Sequence, residues 1–236
     1  MKRFLMFLGA TFFIIMKMFA IDVIGSINNR GEISSSDKFI DSFWNNPNIS
    51  HNASSYVEKY KTSINTNDGH YLIRLSRHTD RADEDIKESI ETFGDVFFSK
   101  LDIEYYKNNG TKVSSQTILN DGLWYKYNYW TFATYTNTPW KETKDITVNV
   151  VNMTGDCKAL ILRGERDSID PPLLSIFMLY QGQIKLVFNK KVEINSVNSD
   201  VSQTLFEVQE NKYDSNGKLT PKRFHIAFTN GSIVVL

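Results

Sequence analysis

From Asp121 to Lys190 the chain carries a density of aromatic and β-branched residues that constrains its fold more than any other feature. Residues 124–132 read WYKYNYWTF, Pro139-Trp140 marks a turn, a Val/Asn segment follows, and residues 170–188 read DPPLLSIFMLYQGQIKLVF. Residues of these types suit a pleated, half-buried surface, so the window predicts strands. Three of the chain's 4 Trp fall inside it, and one sheet face is therefore expected to be an aromatic platform. Such a platform serves either as sandwich core or as a surface on which the flat, apolar face of a ligand stacks.

The pattern outside this window is also one of strands. Tyr71, Ile73 and Leu75 alternate with His70, Arg74, Ser76 and His78, the period-2 signature of a strand with one face on a core. Asn108-Asn109-Gly110 reads as a hairpin turn and Gln181-Gly182 as a tight turn joining 172–180 to 183–189. Strict alternation on both sides of that turn predicts Leu174, Ile176 and Met178 on one face with Ile184, Leu186 and Phe188. Further strands are expected near 95–106, 112–119, 123–135, 145–152, 157–163, 191–197, 203–210 and 222–236, whereas 21–69 is polar and weakly patterned. Asp83 to Phe93 fits a short helix or a charged loop equally. Ten or so short strands separated by turns imply an all-β fold, an antiparallel β-sandwich or jelly roll, in a single domain.

Lys2 and Arg3, an apolar run from Phe4 to Met16 and Ala20 after it describe a secretory signal peptide cleaved after Ala20. The run falls short of the roughly 18 apolar residues of a membrane span; an uncleaved anchor is the competing reading. The expected organisation is a leader over 1–20 and a jelly-roll domain over 21–236, secreted or periplasmic, with no stable membrane insertion after cleavage. Lys plus Arg and Asp plus Glu number 27 each, so charge gives no support for a nucleic-acid partner. With Cys157 the lone cysteine, no disulfide forms within the chain, and a buried structural thiol is expected. Five Asn-x-Ser/Thr sequons, at Asn48, Asn52, Asn109, Asn152 and Asn230, match what chance yields in so Asn-, Ser- and Thr-rich a chain.

No metal or cofactor signature is present. His51, His70, His78 and His225 are dispersed, one cysteine builds no zinc site, and there is no phosphate-cradling glycine loop or nucleophile elbow. Asp80, Asp83, Glu84 and Asp85 read better as a solvated charged loop than as a calcium loop. The remaining constellation is the polar face of 70–78, with Arg77 and Arg81 adjacent. Cations and imidazoles on one side of a strand suit β-elimination from a uronate, in which a cation neutralises the carboxylate and a base removes the proton beside it. From the residues alone, a solvent-facing strand whose charges keep the protein soluble is the reading they suit better.

The order WYKYNYW, Thr138-Pro139-Trp140-Lys141, a Val/Asn strand and DPPLLSIFMLYQGQIKLVF resembles the concanavalin-like jelly-roll polysaccharide lyases, the heparinase-I-like group in particular, over about 120–190. That resemblance implies an acidic, uronate-containing polysaccharide as ligand. Taken together with the polar face of 70–78, it gives Arg74 and Asn149 as carboxylate-neutralising groups, His70 or His78 as base, a Tyr from 125–135 as acid, and Trp124, Tyr127, Trp130 and Arg77 as substrate contacts. Two positions depart from the family. Val151 stands where its Gln-x-His pattern has histidine, and its late Lys-x-Gly-x-Tyr strand has no counterpart. A non-catalytic exported module that binds a glycan or a protein is the alternative. Convergence of His or Arg side chains from 70–78 with Asn149 in one groove separates the two readings, and the sharper expectation puts Arg74 and His78 on the concave face of the sandwich within reach of Asn149.

Overall fold

A computed structural model describes residues 21–41, 56–78, 100–119, 129–131, 149–165, 173–199 and 204–236. Numbered in chain order, the first strands are β1 (Asp22–Ile27), β2 (Ile33–Ser35), β3 (Tyr56–Asn65), β4 (Gly69–His78), β5 (Lys100–Lys107) and β6 (Lys112–Leu119). Next come β7 (Tyr129–Thr131), β8 (Asn149–Asn152), β9 (Lys158–Glu165), β10 (Leu173–Tyr180) and β11 (Gln183–Lys191). The last are β12 (Glu193–Ser199), β13 (Thr204–Tyr213), β14 (Leu219–Thr229) and β15 (Ser232–Val235). They form three sheets, ordered β12-β13-β14-β15-β1-β2, β11-β10-β9-β7 with β8 also on β9, and β3-β4-β5-β6. Each ladder among the described strands is antiparallel.

The fold is an all-β sandwich of three layers, because the β7–β11 sheet is buried on both faces. One face (Ala159, Ile161, Leu174, Ile176, Met178, Phe188) packs on Ile24, Phe206, Val208, Phe224, Ile226 and Phe228 of the six-stranded sheet. Its other face (Leu160, Leu162, Phe177, Leu179) packs on Tyr71, Ile73, Leu75, Leu101, Ile103 and Tyr105 of the four-stranded sheet. A strand sandwiched this way has no solvent side, so LLSIFMLY is apolar throughout instead of alternating. Where it does carry a hydroxyl, Ser175 donates to Asn189 Oδ1 at 2.6 Å, and Asn189 in turn donates to the Asp41 carbonyl at 3.3 Å. Burying these polar groups is tolerable because each is partnered. Both cores share the central sheet, so the three layers form one unit.

The β10–β11 hairpin lies where the sequence places it, with one correction. A bulge in the ladder pairs Ile176 with Phe188 but Phe177 with Leu186. Phe188 therefore faces the six-stranded sheet with Ile176, whereas Ile184 and Leu186 pack on the opposite core. One extra residue in a strand reverses facing beyond it. Gln181 and Gly182 both have positive φ, 47° and 82°, the type I′ geometry that matches strand twist.

This turn fastens all three layers. The Gly182 N–H donates to the Tyr71 hydroxyl at 2.9 Å, Tyr71 donates to the Gln183 carbonyl at 3.2 Å, and Ser114 donates to the Gly182 carbonyl. On the other side the Gln183 amide accepts from Ile33 N–H at 2.8 Å and donates to the Gly31 carbonyl at 2.7 Å. Burial pushes the Tyr71 phenol well above its ordinary value, with only partial relief from the Gly182 hydrogen bond. Gly25 gives β1 a comparably close approach: a Cβ there would meet Met178 Sδ at 2.6 Å.

Cys157 is buried, as expected, with its thiol 3.7 Å from Met153 Sδ. Burial, partly offset by Lys158, pushes the thiol up to about 11. The Asp83–Phe93 segment and the Asp80–Asp85 acids lie outside the described residues.

Candidate functional site

With Tyr71, Ile73 and Leu75 turned into the core, β4 presents His70, Leu72, Arg74 and Ser76 on the outer face of the four-stranded sheet. Neighbouring strands repeat the alternation. On β5, Leu101, Ile103 and Tyr105 point inward, leaving Asp102, Glu104 and Tyr106 outward. The ladder then sets rows across the sheet: Lys61, Arg74, Asp102 and Thr117 in one, Asn65, His70 and Tyr106 in another, with Lys112 opposite Tyr106. Among the described residues, Lys61, Arg74, Lys100 and Lys112 face Glu58, Asp102 and Glu104, leaving one cation in excess.

Glu104 organises the face. Its carboxylate accepts from Arg74 Nη2 at 2.5 Å, from the Tyr106 hydroxyl at 2.9 Å and from Lys112 Nζ at 3.2 Å. Although it lies on an outer face, the residue is only 8 % exposed because these three partners cover it. Burial alone would raise its carboxyl. The hydrogen bonds from Tyr106 and Lys112 and the Arg74 charge outweigh that and hold it below the usual carboxylate range.

Arg74 reaches Glu104 diagonally across the ladder and also lies 3.4 Å, through Nε, from Glu58. The Nε contact is poorly aligned, so that N–H makes no hydrogen bond. Asp102 is matched by Lys100 at 2.8 Å and by the Thr117 hydroxyl at 2.6 Å. His70 stacks on Tyr106 with ring centroids 5.5 Å apart and planes 12° from parallel. The result is a hydroxyl-bearing face whose charges are cross-linked and which carries, among the described residues, the stacked His70–Tyr106 pair.

Of the residues singled out from sequence, His70 and Arg74 share this face. His78 falls on the same strand at its end and Arg77 on the alternate register position. Asn149 does not join them. It belongs to β8 in the central sheet, opposite Ile161 in the ladder. Arg74 stands on the outward register of the four-stranded sheet, so the two positions lie on different sheets. Period-2 alternation specifies a face but not which layer it belongs to, and the two residues belong to different layers. Trp130 lies in β7, paired with Gly164, while Trp124 and Tyr127 are outside the described residues.

Glu104, Tyr106 and Lys112 were not singled out from sequence. The signal was available in the alternation of Leu101-Asp102-Ile103-Glu104-Tyr105-Tyr106, but only strand pairing puts these side chains against Arg74. Among the described residues, no three His, Cys, Asp or Glu side chains gather as metal ligands.

No family model, curated protein or solved structure matches this chain. Functional inference therefore rests on the residues.

Proposed function

We propose that the protein is an exported β-sandwich that binds an acidic polysaccharide on the outer face of its four-stranded sheet without cleaving it. The observation that carries this reading is the stacked His70–Tyr106 pair set among lysines and hydroxyls on an outward sheet face. A sugar ring offers a flat C–H face to stack and a rim of hydroxyls to hydrogen-bond, and this surface supplies partners for both. Lys61, exposed on β3, is the cation available to sugar carboxylates, while Lys112 is half exposed but held by Glu104 at 3.2 Å.

Binding is favoured over β-elimination because of what Arg74 is doing. A lyase needs a cation with spare capacity for the substrate carboxylate. The Arg74 guanidinium is already paired with Glu104 and Glu58, and Asn149 stands on a different sheet.

Titration of polygalacturonate and of neutral dextran into residues 21–236 tests the reading. Tyr106→Ala should weaken polygalacturonate binding about tenfold, from loss of a stacking contact of about 1–1.5 kcal/mol. Tyr106→Phe, which keeps the ring, should retain most of the affinity. Absorbance from unsaturated uronate should stay flat. Equal affinity for dextran, or an unaffected Tyr106→Ala variant, overturns the binding face; growth of that absorbance overturns the non-catalytic reading.

A further inference from the structure

The β13–β14 hairpin outruns the layer it belongs to. From residue 214 to residue 223 each described side chain is exposed, whereas Phe224, Ile226 and Phe228 further along β14 are buried. The overhang is closed by a well-formed turn in which the Asp214 carboxylate accepts from the N–H groups of Asn216 and Lys218, both at 2.9 Å. It is therefore a two-stranded arm with solvent on both faces.

Its charge is unlike that of the whole chain, which is formally neutral. Between residues 209 and 223 stand Lys212, Lys218, Lys222 and Arg223 against Glu210 and Asp214. Both acids are already engaged: Glu210 lies 3.6 Å from Lys190 and 3.3 Å from Lys212, and Asp214 holds the turn. The ladder pairs Glu210 with Lys222 and Lys212 with Thr220, and backbone bonds join Asp214 to Lys218. These pairs share one face, so Lys212, Lys218 and Lys222 project together. Arg223 lies on the other face with Gln209. Among the described residues neither Lys218 nor Lys222 has an ion-pair partner.

We infer that this arm is a second polyanion-binding element, taking a linear acidic polysaccharide along its Lys212–Lys218–Lys222 face. Lys218 and Lys222 are four strand positions apart, about 13 Å, with Lys212 midway on the partner strand, so a cation recurs about every 7 Å along the arm. A row of that kind matches a chain of repeating carboxylates or sulfates. A bilayer fits less well, because the end of the arm carries Asp214, Ser215 and Asn216, which would have to enter the anionic headgroups first. Duplex nucleic acid fits less well too, since tight binders neutralise some 6–10 phosphates and the arm offers fewer cations than that. The inference takes only its ligand class from the proposed function; it rests on a different part of the molecule.

The test uses residues 21–236 with polygalacturonate at low and high salt, anionic phosphatidylglycerol vesicles and a DNA duplex. A Lys212→Gln/Lys218→Gln/Lys222→Gln variant should fold normally, being altered only on the exposed arm, and circular dichroism checks that it does. It should bind polygalacturonate at least about fivefold more weakly at low salt, as expected for three exposed ion pairs, with a flatter salt dependence. Tyr106→Ala separates the two claims. If the arm variant binds normally while Tyr106→Ala is weakened, the arm inference falls and the sheet-face reading stands. The reverse pattern sustains the arm and removes the face. Tighter retention of wild type on vesicles or DNA than on polygalacturonate overturns the arm's assignment to a polysaccharide.

Discussion

Replacing Tyr71 with Phe removes a single oxygen from the junction of all three layers. The ring stays in place against Tyr105, 4.7 Å away between centroids, so packing changes little. The Gly182 N–H loses its acceptor at 2.9 Å in a buried turn, and the Gln183 carbonyl loses a donor at 3.2 Å. A buried donor left unsatisfied costs about 1–3 kcal/mol, whereas the hydrogen bond itself nets nearer 1. For a chain of this size that corresponds to a fall in Tm of roughly 2–10 °C. Urea unfolding at neutral pH should show the lost stability as a lower midpoint with unchanged slope.

The pH dependence adds a second signature. The Tyr71 pKa is raised by burial, so its contribution is complete below the unfolded phenol value, about 10, and declines as pH rises beyond it. Cys157 acts in the same direction between 9.0 and about 11. Wild-type stability should therefore fall steeply above about pH 9, and Tyr71→Phe should fall less steeply while retaining the Cys157 part. A variant with the wild-type midpoint and the wild-type alkaline slope would refute the claim that this hydroxyl joins the layers.

Three other substitutions test neighbouring parts of the account. Gly182→Ala should cost at least about 2 kcal/mol in chemical denaturation, because φ is 82° there and a Cβ would meet Tyr105 Cδ1 at 2.8 Å. Ile176→Ala should lose about 2–5 kcal/mol from a fully buried site, and Leu186→Ala, half-buried on the opposite core, about 1–2; equal losses would contradict the bulge. Glu104→Gln should remove part of the acid sensitivity. The depressed carboxyl contributes fully above its ordinary 4.5 and loses that contribution as pH falls through the lower folded value, so the gap between wild type and variant should narrow below about pH 4.

The strands legible in the sequence were those with one dominant period or one sharp turn. β4 shows alternation, β10 and β11 flank Gln181-Gly182, and β5 and β6 flank Asn108-Asn109-Gly110. β1, β2 and β3 were hidden in a polar stretch whose residues show little apolar periodicity. The expected 222–236 strand is two, β14 and β15, reversed at Asn230-Gly231, where φ is 74° at the glycine. The third layer was not legible at all. An unbroken apolar run such as LLSIFMLY states that both sides of a strand are covered, but not by what. The same limit governed the site: alternation put His70 and Arg74 on one face, while Glu104, Tyr106 and Lys112 reached them only through ladder register.

The central functional claim is that a polyuronate rests on the face built from His70, Arg74, Glu104, Tyr106 and Lys112. Amide and side-chain NMR shift mapping on residues 21–236, titrated with a galacturonate oligosaccharide, tests it most directly. The account predicts saturable shifts clustered on alternate positions of β4, β5 and β6, strongest at His70, Tyr106 and Lys112, with Tyr71, Ile73 and Leu75 little changed. Shifts absent from these positions, or concentrated around Asn149 in the central sheet, would contradict it.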